Sequence, residues 1–68
     1  MISISQRLKK LRKIKRLSQQ KVADFLGISR SAYSNYEQGI REPDITTIRK
    51  LCTLYGISAD CLIGIDKN

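Results

Sequence analysis

Ser31, Ser34, Asn35 and Gln38 follow one another at offsets of three, four and seven positions, a spacing that lays four hydrogen-bonding side chains along one face of a helix. Arg30 stands at the leading edge of that face. An arginine offers paired N–H donors that match O6 and N7 of guanine, and an asparagine can bond bidentately to adenine. Serine hydroxyls bond to most bases and discriminate weakly. The stripe therefore carries chemistry suited to reading base edges in a duplex. A polar helix face turned to water is the plain alternative, and the flanking residues decide between the two.

Those flanks spell two short helices and a tight turn. Ser18 can cap the first helix, Gly27 can supply the left-handed residue that ends it, and Ser29 can cap the second. In the first helix Val22, Ala23 and Leu26 form an inward set with Phe25 at its margin, and Ala23 is small where a second helix must cross closely. Ile28 plugs the corner. Tyr33 sits opposite the polar stripe, so it is expected in the core with Tyr36 at its edge, rather than stacking on bases that are already stacked in a duplex. Residues 18 to 39 thus read as a helix-turn-helix whose one face packs and whose other face reads.

Three more helices complete an all-α reading. The first runs from about Ile4 to Lys15, opened by a capping box from Ser3 to Gln6 and closed by Lys15 and Arg16, which suit the negative end of the helix dipole. Pro43 forbids helix behind it, and Asp44 caps a fourth helix expected to bury Ile45, Ile48, Leu51, Cys52 and Tyr55 and to end at Gly56. Ser58 caps a short fifth helix with Leu62 and Ile63, ended by Gly64. Met1, Ile2 and Asp66 to Asn68 are expected to be loose.

Gln19, Ala23, Gly27, Ile28, Tyr33, Tyr36 and Glu37 to Gly39, at these spacings, resemble the Cro and phage-repressor (Xre-type) family of bacterial helix-turn-helix regulators. Arg41 to Leu51 and Tyr55 to Gly64 resemble that family's fourth and fifth helices, so the likeness runs from about Gln6 to Gly64. It implies a compact five-helix lambda-repressor-like bundle, with helices 2 and 3 as the helix-turn-helix. It also implies a sequence-specific regulator of transcription, a repressor, with helix 3 in the major groove of double-stranded DNA. Ser31, Ser34 and Asn35 fall where the family's reading residues lie. Arg12 and Glu37 fall where many relatives pair an arginine with a glutamate, which implies a tie between the basic helix and the reading helix.

Phosphate positioning is expected from Ser18 and Gln19, where free backbone N–H groups at the start of helix 2 favour an anion, and from Gln38 and Arg41. Gln19 matches a family position with this role. The loop after Gly39 departs from the family pattern: it is short, and its one basic residue, Arg41, is followed by Glu42. One small module buries little DNA, so a homodimer on a two-fold operator is expected, with half-sites about 10 bp apart. Ile57, Leu62, Ile63 and Ile65 are candidates for the contact, with closure of the core as the alternative.

Charge supports a nucleic-acid partner more through its distribution than through the net +7. Residues 1 to 21 hold eight Lys or Arg and no acid, whereas residues 22 to 68 hold five basic and six acidic residues. A basic N-terminal helix beside a reading helix attracts phosphate and makes affinity steeply salt-dependent. A membrane-surface helix is the competing use, since Ile4, Leu8, Leu11 and Ile14 form an apolar stripe beneath the charges. The 68 residues are expected to form one small domain, 1–68, with no room for an effector domain.

No apolar run approaches the ~18 residues of a membrane span and no secretory signal opens the chain. A cytoplasmic protein, nucleoid-associated when bound to DNA, is therefore expected. Enzymatic activity is not expected. There is no histidine, and Cys52 and Cys61 lack a base partner and read as core or near-core thiols. No cofactor or metal is implied, and Asp44, Asp60 and Asp66 fit caps or turns. An antitoxin or other protein-interaction module, binding a regulatory protein partner through the same fold, is the alternative function.

Overall fold

The computed structural model describes residues 3–63, and five α-helices are formed among them. Local hydrogen bonds set each start. The Ser3 hydroxyl accepts the Gln6 N–H and the Gln6 side chain accepts the Ser3 N–H, closing a capping box ahead of α1 (Ile4–Ile14). Ser18 accepts the Lys21 N–H at 3.0 Å and opens α2 (Gln19–Leu26). Ser29 accepts the Ala32 N–H at 3.1 Å and opens α3 (Arg30–Gln38). Asp44 accepts the Thr47 N–H at 2.8 Å ahead of α4 (Ile45–Tyr55), and Ser58 does the same for Cys61 in α5 (Ala59–Ile63).

The core gathers where the five helices converge. Leu8, Val22, Ala23, Leu26, Tyr33, Leu51, Tyr55 and Leu62 are buried. α3 packs on both α1 and α2, while α5 bridges α1 and α4. Ala23 is fully buried in this core, and Ile28 packs against it from the turn between α2 and α3. Tyr33 and Tyr36 meet edge to face, with ring centroids 6.2 Å apart.

Several expectations change where a stripe outruns its partners. Ile45 is 66% exposed, because it opens α4 just past the cap, and the packed row is Ile48, Leu51, Cys52 and Tyr55. Ile14, the last residue of α1, is 62% exposed. Cys52 is half-buried, whereas Cys61 is exposed and is not a core thiol. Leu62 is fully buried in the chain's own core, so it offers no surface to a second copy. Ile57 packs partly against that core and Ile63 remains exposed. The proposed roles of Gly64 and Ile65, and the loose termini, lie outside the described residues.

Candidate nucleic-acid interface

α3 presents the polar stripe on its outer side. Arg30 and Ser31 are exposed in its first turn and Gln38 is exposed in its last, with Ser34 and Asn35 half-buried between them. The stripe is partly pre-organised, since the Gln38 amide donates to the Ser34 hydroxyl at 2.8 Å. That bond occupies an acceptor of Ser34 and leaves its proton free to donate. The Asn35 carbonyl accepts from the N–H groups of Ile40 and Arg41, which fastens the following loop to the end of α3. Arg41 is exposed in that loop.

Behind the stripe lies a polar clamp. Arg12 of α1 donates through Nε to Glu37 Oε2 at 2.6 Å and through Nη2 to Oε1 at 3.1 Å, a side-on bidentate pair. Its Nη1 reaches the Leu17 carbonyl at 2.9 Å, and Gln19 Nε2 donates to Glu37 Oε1 at 3.1 Å. One carboxylate on α3 is thereby tied to α1 and α2. The Glu37 side chain is only 3% exposed and that of Arg12 13%. Burial alone would push the Glu37 carboxyl up, but Arg12, the facing Tyr33 hydroxyl and Gln19 outweigh it and hold it below the ordinary glutamate value. The hydrogen bond to Glu37 correspondingly raises the Arg12 guanidinium, against the cost of its burial. Burial pushes the Tyr33 and Tyr55 hydroxyls up as well, and neither completes a hydrogen bond of good geometry.

A helix-turn-helix family model matches residues 8–60, most of the chain. The chain belongs to this family. It is 52% identical over 58 residues to the SPbeta prophage-derived uncharacterized HTH-type transcriptional regulator YonR of Bacillus subtilis, covering 85% of this chain and 54% of that protein. The chain thus spans about half the length of the curated relatives it matches. Its fold is that of the P22 c2 repressor, solved with a synthetic operator, at a TM-score of 0.88 and 24% identity over 97% of this chain and all of that one. The structure of SinR in complex with DNA matches at a TM-score of 0.79 and 30% identity, covering 93% of this chain and 98% of that one. These relatives carry the names of transcriptional regulators and repressors, not of enzymes.

Three ties between the helices have no signature in the local sequence. Gln19 reads from sequence as a surface group at the start of α2, yet it is half-buried and spends one amide proton on Glu37. Lys50 of α4 reaches the Leu26 carbonyl at 3.4 Å, placing a cation at the negative end of α2. Arg7 of α1 reaches the Cys61 carbonyl of α5 at 3.4 Å. Each joins residues remote in the chain, so spacing alone carries no trace of it. Among the described residues no group of three His, Cys, Asp or Glu gathers where a metal could be held, and no helix is long and apolar enough to cross a membrane.

Proposed function

We propose that this chain is the DNA-binding part of a transcriptional repressor, which binds a two-fold operator as a homodimer with α3 in the major groove. The observation that carries the reading is the construction of α3. Its outer face is polar and open, while its inner face is locked to α1 and α2 by Glu37 and anchored by Tyr33. A helix built so can present side chains to base edges without rearrangement. Arg30 grips a guanine and Asn35 an adenine, with Ser31 and Ser34 adding weaker contacts. Ser18, Gln19, Gln38 and Arg41 hold the register on phosphate, and the basic α1 supplies the long-range attraction. Such a protein works in the cytoplasm, on the nucleoid.

The test is selection from a random duplex library with the purified protein, followed by titration of the winner and of scrambled DNA at two salt concentrations. A two-fold symmetric site bound far above background is the expected outcome. Salt-sensitive binding without an enriched motif overturns the sequence-specific reading and turns attention to a protein partner.

A further inference from the structure

Four helix ends close on a left-handed residue: Arg16 at φ 57°, Gly27 at 75°, Gly39 at 77° and Gly56 at 67°. Glycine enters this region freely, whereas any residue with a Cβ crowds the following carbonyl. At the end of α1 the Arg16 N–H bonds to the Lys13 carbonyl and the Leu17 N–H to the Arg12 carbonyl, a Schellman closure in which glycine is the usual left-handed residue. The chain uses glycine at the other three ends and arginine here. The same bonds would form with glycine, so the backbone alone gives no reason for an arginine.

The side chain supplies one. Arg7 and Arg12 spend their guanidinium groups on internal partners, the first on the Cys61 carbonyl and the second on Glu37 and the Leu17 carbonyl. Arg16 is exposed and makes no side-chain hydrogen bond or ion pair within residues 3–63. It stands two residues before Ser18, at the corner where α1 hands over to α2, with Lys13 and Lys15 exposed beside it. No acid occurs in the first 21 positions, and Glu37, the carboxylate that α3 brings to this corner, is already taken by Arg12 and Gln19.

We infer that Arg16 is a phosphate-contacting residue of the DNA interface, kept in left-handed backbone at a cost in stability so that a free guanidinium stands at the corner between α1 and α2. The inference rests on the DNA-binding reading above. Its contact is with the duplex backbone, so it adds affinity on every sequence and carries no base preference.

Arg16→Gly and Arg16→Lys, compared with wild type, test this. The glycine variant is expected to melt higher by about 4–8 °C, because the strained Cβ is gone. It should bind duplex DNA about fivefold more weakly at 0.15 M salt, with the slope of log affinity against log salt reduced by about 0.9. The lysine variant should keep the wild-type slope. A glycine variant with unchanged affinity and slope overturns the inference, and one that melts no higher removes the strain argument that singled out this residue. Wild-type protein that binds no duplex at any salt would sink the DNA-binding reading itself, an outcome distinct from a failure at Arg16 alone.

Discussion

Glu37 decides more of this fold than any side chain on the polar outer face of α3, because it is a nearly buried carboxylate whose partners come from two other helices. Removing it leaves the Arg12 guanidinium unpaired in a largely buried position, which costs about 3 kcal/mol. Glu37→Ala is therefore expected to lower thermal stability severely while leaving base preference alone in the folded fraction. A variant that melts like wild type but loses specificity would show the reverse.

The same carboxylate sets an acid limit. Its pKa is lower folded than unfolded, so its contribution is full above the unfolded value of about 4.3 and disappears as pH falls through the folded value. Asp44 acts in the same direction through its bond from the Thr47 N–H. Wild type should then lose stability below about pH 4, where its advantage over Glu37→Gln should close. A gap between the two melting curves that stays constant across that range would contradict this. For the proposed DNA contacts the expectation is a split. Arg30→Ala should lose ~1–3 kcal/mol on the preferred site and relax one base position, and Arg41→Ala should weaken all sequences alike and cut the salt slope by about one. Equal losses for Arg30→Ala on specific and random DNA would reassign that residue to phosphate.

Among the elements, the turn from α2 to α3 depends on one backbone conformation. Gly27 sits at φ 75°, and a Cβ added there would meet no atom within 4 Å. Steric collision with neighbours therefore plays no part, and the penalty of Gly27→Ala is that of the left-handed backbone itself, ~1 kcal/mol. Urea melts should show that loss, with Gly27→Asn falling between alanine and wild type. An alanine variant as stable as wild type would mean that the turn can relax. The helix starts were legible in the sequence, because Ser3, Ser18, Ser29, Asp44 and Ser58 each act on an N–H only three residues away. The end of α1 was less so. With no glycine between Ile14 and Ser18, charge suggested an end at Lys15 and Arg16, and nothing local announced that Arg16 would take the left-handed position.

For the whole molecule, a core of few fully buried side chains leaves little stability in reserve, ~5 kcal/mol for a domain this small. Leu62→Ala removes a fully buried side chain and should cost ~2–5 kcal/mol, enough to unfold much of the population, while Ile63→Ala on the exposed side should be nearly neutral. Chemical denaturation of both variants checks this. A Leu62 variant that melts normally but changes oligomeric state would return that residue to a dimer contact.

The all-α class, the places of the five helices, the helix-turn-helix and the polar stripe on α3 were determined by the sequence itself. Caps, turns and helical periodicity act over three to seven residues, and their participants are written side by side. The likeness to known regulators added the pairing of Arg12 with Glu37, which spacing does not reveal. Only the tertiary structure decided which apolar positions are covered, burying Leu62 while leaving Ile14, Ile45 and Ile63 in the open. It alone drew Gln19 into the clamp and left the guanidinium of Arg16 without a partner among the described residues. Those outcomes depend on where one helix runs out of neighbours and which carboxylate another brings within reach, and both are set by packing between segments distant in the chain.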